Sequence, residues 1–346
     1  MPDHAPIRPG EALDWTTLET YLRDHLPGAG GAFSVSRFHG GHANLTYLIR
    51  FGEEEYVLRR PPFGTIAPGA HDMRREYRIL AALHPHFAPA PRALHLCTDA
   101  TVVGTDFVVM ERRSGVVIRH DILPCFADAP NAHQRLTDAL MRVCADLHLV
   151  DVNEAGLAEL GKPEGFTTRQ LWGWEKRWHL SKLEDDPNMD ALFAALAEDV
   201  PPPQRVSIVH GDLKFDNCQF QPEDPDRVTS VFDWDMATLG DPLVDVAGLL
   251  SFWPDPRLGP MPKPFLQGDW PTKDYLKARY AEYSGLDLSR MPWYEGLACA
   301  KTAVIAQQLY ARYAAGSTKD PRMEMFGPAA RAFARLGVNI VSGAGG

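Results

Sequence analysis

The run His210-Gly211-Asp212-Leu213-Lys214-Phe215-Asp216-Asn217, followed by Val231-Phe232-Asp233-Trp234-Asp235, constrains this chain more than any other stretch. An apolar segment, Val206 to Val209, leads into it. Cys218 to Phe220, Pro222 to Asp226 and Val228 to Phe232 then read as strand, turn and strand. Such a hairpin would bring Asn217 and Asp233 to the same end. Asp and Asn also cap ordinary turns, but turn chemistry alone does not call for both halves in this order beside apolar strands. Phosphoryl transfer does. It needs a carboxylate at the attacking hydroxyl and oxygen ligands for the magnesium that neutralises the phosphates.

His-x-Asp, Asn five residues on and then a metal-binding Asp is the spacing of a kinase catalytic loop. Asp212 is therefore read as the base, or positioning carboxylate, for an acceptor hydroxyl. Asn217 and Asp233 are read as magnesium ligands, because hard cations take oxygen donors. Lys214 either meets the transferring phosphate as a point charge or is a solvated lysine. His210 is expected to brace the loop rather than titrate. In Leu239-Gly240-Asp241-Pro242-Leu243-Val244-Asp245, Asp241 is expected to cap a helix with Pro242 at its first position. Asp245 falls one turn on and is expected to point back to the loop.

The N-terminal part has strand-like patterning. Phe33–Phe38, Leu45–Arg50 and Tyr56–Arg60 read as a three-stranded meander, with Gly40-Gly41 in the first turn. Those glycines would let the backbone approach phosphates closely, or simply make a hairpin turn. Alternation puts Val57 and Arg59 on one face of the third strand. Val57 would roof an adenine, and Arg59 would grip phosphates in the place usually held by Lys. Glu76, on the following helix (71–83), is the expected partner of Arg59. Val102 to Glu111 reads as two short strands around Gly104-Thr105, with Met110, Glu111 and Arg112 offering backbone groups to adenine. Beyond Gly115, helical periodicity dominates at 134–150, 167–183, 188–198, 273–284 and 293–315. The fold class expected is α+β and bilobal. A small β-rich N-terminal lobe would cover 1–112, as a five-stranded antiparallel sheet with one helix. A hinge would lie at 110–115, and a helical lobe with the catalytic loop and acceptor site would cover 113–346.

These residues resemble the aminoglycoside phosphotransferase/choline kinase superfamily, which shares the protein-kinase-like fold. His210-Gly211-Asp212 through Asn217, Asp233-Trp234 and Gly240-Asp241-Pro242-x-x-Asp245 carry the resemblance, which covers roughly residues 30 to 320. Protein kinases would show Asp-Phe-Gly and Ala-Pro-Glu; neither is present. The chain is most similar to the kinase domains attached to acyl-CoA dehydrogenases of the 10/11 type. The similarity lies in Phe38-His39-Gly40-Gly41-His42-Ala43-Asn44, Tyr56-Val57-Leu58-Arg59-Arg60-Pro61-Pro62, Arg75-Glu76-Tyr77 and Asp233 to Pro242. The resemblance implies ATP and Mg2+ as cofactors, with Gly40, Gly41 and Asn44 on the nucleotide side. Arg59 in place of Lys is normal for that subgroup. The acceptor implied is a small-molecule hydroxyl, plausibly on a hydroxyacyl-CoA.

Aminoglycosides and other amino-alcohols or sugars are the alternative acceptors, and a nucleotide-binding pseudokinase module is a further alternative. The net charge of −10 leans toward a polycationic acceptor and against a nucleic-acid surface. Arg60, His71, Arg74 and Arg75 are either a solvated face or a meeting point for CoA phosphates. Trp172, Trp174, Trp178 and Trp253 either line an apolar acceptor pocket or pack the core. Trp172 and Trp174 are two apart and cannot share a helix face. No apolar run reaches the ~18 residues of a membrane span, and the N-terminus does not read as a signal peptide. Five scattered cysteines without a Cys-x-x-Cys pair suggest free thiols in the cytoplasm. Homodimerisation is left open.

Overall fold

The computed structural model describes residues 4–7, 10–38, 44–64, 71–258, 266, 268–318 and 320–343. The chain divides into two compact units. The first comprises Met1–Gly115 together with Asn153–Leu157 and Thr229–Ala237; the second holds the remainder.

The first unit is built on one antiparallel sheet. Its elements are β1 (His4–Ala5), α1 (Trp15–His25), β2 (Phe33–Phe38), β3 (Leu45–Phe51), β4 (Glu54–Arg60), α2 (Met73–Leu83), β5 (Ala93–Cys97), α3 (Ala100–Val103) and β6 (Phe107–Glu111). The strand order is β1-β2-β3-β4-β6-β5. Strand alternation sorts the side chains. Tyr47, Ile49, Phe51 and Leu58 join Leu18 and Leu22 of α1 in a buried apolar cluster. Val57 and Arg59 fall on the opposite face of β4. The two longer helices start on an aspartate: Asp14 Oδ1 accepts from Thr17 N at 3.0 Å, and Asp72 Oδ1 from Arg75 N at 3.0 Å.

Three expectations are corrected here. The sheet has six strands, not five, because β1 pairs with β2 at its edge. More than one helix belongs to this part of the chain. The first of the two strands expected around Gly104 is instead α3: Asp99 caps it through Thr101 N at 2.8 Å, and Gly104 ends it at φ 84°. Capping chemistry at both ends outweighs the β-branched run between them. Strand β6 pairs with β4 on one side and with β5 on the other, and β5 carries little β-branched signal.

The second unit is mainly helical. Its elements are α4 (Ala132–Leu149), α5 (Phe166–Ser181), α6 (Pro187–Glu198), β7 (Ser207–Val209), β8 (Cys218–Gln221), β9 (Asp224–Val231), β10 (Thr238–Gly240), α7 (Leu243–Ser251), α8 (Lys273–Ser284), α9 (Met291–Ala314) and α10 (Phe326–Val341). Helices α4, α5, α6, α8 and α9 lie within two residues of the spans expected from periodicity; α10 was not anticipated. Strand β7 pairs antiparallel with β10, and β8 with β9. The β8–β9 turn falls earlier and is tighter than the stretch read from Pro222 to Asp226, with Glu223 in the left-handed region at φ 66°. Close packing of the last helices needs small residues. A Cβ on Gly337 would stand 2.6 Å from Leu192 Cδ2 and 3.0 Å from Cys299 Cβ.

Candidate active site

Strand β7 is fully buried, and the chain leaves it at His210, which is buried too. The loop that follows is pinned from α7. Asp245 Oδ2 accepts from His210 N at 2.6 Å, and Asp245 Oδ1 accepts from Gly211 N at 2.7 Å. Behind Asp245 stands His148 of α4, with Nε2 at 3.2 Å from Asp245 Oδ2 and Nδ1 at 2.7 Å from the Tyr280 hydroxyl. Burial works against the Asp245 charge, but the hydrogen bond and charge of His148, then His210 and the Gly211 N–H, hold its carboxyl below the ordinary value. Asp241 accepts from Leu243 N at 3.0 Å at the start of α7 and from the Tyr294 hydroxyl at 2.7 Å. Asp245 thus points back to the loop as expected; Asp241 does bind the first N–H of α7, but Pro242 stands just before that helix rather than as its first residue.

On this loop Asp212 is gripped by its neighbours. Lys214 Nζ donates to both carboxylate oxygens, at 2.9 and 2.8 Å. Asn217 Nδ2 donates to the Asp212 backbone oxygen at 2.8 Å and to Oδ2 at 3.1 Å. The Asn217 amide nitrogen is thus committed to Asp212. Neither of the two earlier readings of Lys214 describes this state; it is the ion-pair partner of the candidate base. Lys301 of α9 also reaches the loop, donating from Nζ to the Gly211 carbonyl at 3.0 Å.

A small pocket adjoins the loop, lined by Lys214, Phe215, Asp216, Trp253, Leu140 and Arg119 among others. Phe215 stacks on Trp253 with ring centroids 5.8 Å apart. Of the four tryptophans considered for an acceptor pocket, only Trp253 lines this one. Trp174 and Trp178 are buried in the core, and Trp172 is 64% exposed.

The first unit holds the second half of the motif. Arg59 Nε lies 3.2 Å from Glu76 Oε2, and Arg59 Nη2 donates to Asp233 Oδ1. With its oxygen turned toward Arg59, the Asn44 amide accepts from Nε at 3.1 Å and Nη2 at 2.7 Å, while its nitrogen donates to His71 Nδ1 at 2.8 Å. Asp233 is left-handed at φ 73°, and buried Trp234 fixes the turn by donating Nε1 to Val231 O at 2.8 Å. Val57 pairs with Met110 in the β4–β6 ladder. The Glu111 N–H is already given to Arg92 O at 3.0 Å, and its Oε1 accepts from Arg92 N at 2.6 Å. Arg112 lies over the Phe38 ring at 5.0 Å. The expected glycine turn, Gly40-Gly41, lies outside the described residues. The basic residues near α2 are engaged rather than gathered for a ligand: Arg74 pairs with Asp106 at 2.6 Å, Arg75 donates to Ala237 O, and Arg60 lies over Phe63.

Glu76 is almost fully buried. Burial pushes its carboxyl up to about 7 against the pull of Arg59, with Asp235 and Asp233 adding to the rise. Burial also opposes the Arg59 charge, but Glu76, Asp233 and Asp235 keep the guanidinium firmly protonated. Three carboxylates around one guanidinium leave excess negative charge here. The folded chain therefore binds a proton at Glu76 more tightly than the unfolded chain, where the carboxyl sits near 4.5. The resulting stability is complete below pH 4.5 and is lost as pH rises through about 7. Denaturant unfolding of the unmodified chain and Glu76→Gln over that range should show it. The stability of the unmodified chain relative to the variant falls as pH rises; a constant difference would mean that Glu76 stays ionised throughout.

Among the described residues no group of three His, Cys, Asp or Glu is placed to hold a metal. Magnesium takes oxygen ligands, usually one or two carboxylates with substrate phosphates and water; Asn217 of the second unit carries an amide oxygen of that kind and Asp233 of the first a carboxylate.

A family model described as phosphotransferase enzyme family matches residues 34–283. The chain belongs to that phosphotransferase family. Its likeness to curated proteins is broad: it is 33% identical to rat acyl-CoA dehydrogenase family member 11 over 92% of this chain and 42% of the rat protein. It is 31% identical to mouse acyl-CoA dehydrogenase family member 10 over 97% of this chain and 32% of the mouse protein. The chain thus spans less than half the length of these relatives. Among solved structures, a candidate aminoglycoside phosphotransferase of Ralstonia eutropha aligns with TM-score 0.81 at 29% identity, over 97% of this chain and 100% of that one. A thermostable mutant of aminoglycoside phosphotransferase APH(4)-Ia, in ternary complex with AMP-PNP and hygromycin B, aligns with TM-score 0.59 at 20% identity, over 96% of this chain and 100% of that one. The β-rich unit and helical unit of this phosphotransferase-family chain are those of the kinase-like fold.

Proposed function

We propose that this protein transfers a phosphoryl group from ATP, with magnesium, to a hydroxyl of a small molecule. The observation that carries the reading is Asp212, gripped by Lys214 and Asn217 on a loop pinned by Asp245. The acceptor oxygen bonds to the γ-phosphorus as the bond to the β–γ bridging oxygen breaks. The acceptor proton passes to the Asp212 carboxylate, and ADP leaves. Lys214 turns from Asp212 to the transferring phosphoryl oxygens. Arg59, held by Glu76 and Asn44, grips the nucleotide phosphates, and Val57 and Met110 give an apolar seat for the base. The backbone of Arg112, with Gly40 and Gly41, completes the nucleotide side, the Glu111 N–H being spent on Arg92. Asn217 and Asp233 would each offer an oxygen ligand to magnesium, which would neutralise phosphate charge. ATP is favoured by the AMP-PNP in the APH(4)-Ia complex.

The acceptor we favour is a hydroxyacyl-CoA. The named relatives are acyl-CoA dehydrogenase family members, and the pocket beside Asp212 has aromatic and aliphatic walls with Arg119 among them. Asp216 in the same wall keeps an aminoglycoside or other amino-alcohol or sugar as the second reading. No helix among the described residues is long and apolar enough to cross a membrane. The five cysteines are all free thiols, which supports a cytoplasmic setting. The test is ADP release from magnesium-ATP with a panel of hydroxyacyl-CoAs, free hydroxy acids and aminoglycosides. Release driven by hydroxyacyl-CoA is expected. Release driven by aminoglycosides alone would move the acceptor to the second reading. Magnesium-dependent ATP binding without release for any acceptor would make the protein a pseudokinase module.

A further inference from the structure

Lys301 lies on α9, ninety residues beyond the loop it touches. The residue is half-buried; its ammonium lies 5.9 Å from the Trp174 ring centroid and donates to the Gly211 carbonyl at 3.0 Å. Burying an ammonium is costly unless it finds partners, and an apolar side chain could fill the same space. Burial holds this ammonium below its ordinary value; Asp212 on the loop and Asp245 of α7 favour its charge, while Lys214 and Arg177 oppose it.

Gly211 sits in the left-handed region at φ 86°. A glycine offers little resistance to rotation of the peptides on either side of it. The peptide joining Gly211 to Asp212 sets the direction in which the Asp212 side chain leaves the backbone. Its oxygen is held by Lys301, and its N–H goes to His210 Nδ1 at a long 3.3 Å. The preceding N–H, of Gly211, is held by Asp245 at 2.7 Å. A hydrogen bond from an ammonium is roughly twice as strong as a neutral one, so Lys301 is the stronger restraint on this peptide.

We propose that Lys301 is a positioning residue for the phosphoryl transfer assigned above, clamping the Gly211–Asp212 peptide against Asp245 and so fixing where the Asp212 carboxylate stands. The inference rests on the phosphotransferase reading. Lys301 holds the loop backbone, so its loss is expected to act on the chemical step rather than on binding. Misplacing a reacting group by about 1 Å costs ~10²-fold in rate.

Lys301→Met and Lys301→Arg test this, with unchanged melting temperature as the control for folding and Lys301→Gln as substitute should the Met variant not fold. In the Met variant kcat should drop ~10–10²-fold, with KM for ATP and for the acceptor little changed. The Arg variant, which still donates to the carbonyl, should recover most of the rate. Hydrogen exchange over residues 209–215, measured without any substrate, should speed up in the Met variant and not in the Arg variant. A folded Met variant with normal kcat, or with normal exchange over the loop, overturns the proposal. If the unmodified chain turns over no acceptor, the phosphotransferase reading falls, and the catalytic role of Lys301 with it. Normal turnover in the unmodified chain with unchanged exchange in the Met variant defeats the clamp alone.

Discussion

Asp212→Asn should bind magnesium-ATP about as well as the unmodified protein and lose most of its turnover. The substitution keeps the shape of the side chain and leaves the Asn217 hydrogen bond to the residue-212 backbone oxygen, 2.8 Å long, in place. What it removes is the only function an amide cannot supply, a carboxylate that orients the acceptor hydroxyl and takes its proton. Positioned general bases contribute ~10²–10⁴-fold, so kcat should fall by that order. Half of the new amide also meets a donor, because both Lys214 Nζ and Asn217 Nδ2 now point at Oδ2. Local loosening of the loop will therefore accompany the chemical loss. Calorimetric affinity for magnesium-ATP beside kcat for the identified acceptor gives the answer. Near-normal turnover in this variant would remove Asp212 from the reaction and the loop from its assigned role.

The parts of this site that sequence reveals are those carried by short-range pattern. Asp212, Asn217 and Asp233 stand within one loop and hairpin, and Asp245 falls one helical turn after its capping residues. Arg59 and Glu76 were legible because strand alternation fixes the face of β4 and only one acid on α2 fits that face. Partners supplied from far along the chain left no such signal. His148 and Lys301 reach the loop from α4 and α9, and nothing in a helix with small residues such as Gly296, Ala298 and Ala300 marks the lysine beside them as different. The same limit explains β5. Its pairing with β6 is set by tertiary contact rather than by its own residues, and with β5 unread the commitment of the Glu111 N–H to Arg92 was hidden.

Asp233→Asn should fail in a different way, by weakening magnesium-nucleotide binding as well as turnover. Asp233 holds a left-handed backbone at φ 73°, a conformation in which Asn is among the best-tolerated residues. The turn is anchored separately by Trp234, so the variant should fold. Its effect is electrostatic. Asp233 is one of three acids around Arg59, and neutralising it removes both a charged oxygen ligand and much of the excess negative charge that draws a divalent ion. Disturbing even an outer partner of a metal site costs ~10–100-fold in affinity, so losing a charged ligand should cost at least about as much. Arg59 keeps Glu76 at 3.2 Å, so the phosphate-binding cation stays in place and residual nucleotide binding without magnesium should survive. Titrating ATP with and without magnesium separates the two contributions. The magnesium-dependent part of the affinity should collapse in Asp233→Asn and persist in Asp212→Asn. Equal magnesium dependence in both variants would mean that Asp233 serves only to anchor Arg59 and that the metal is held by other residues.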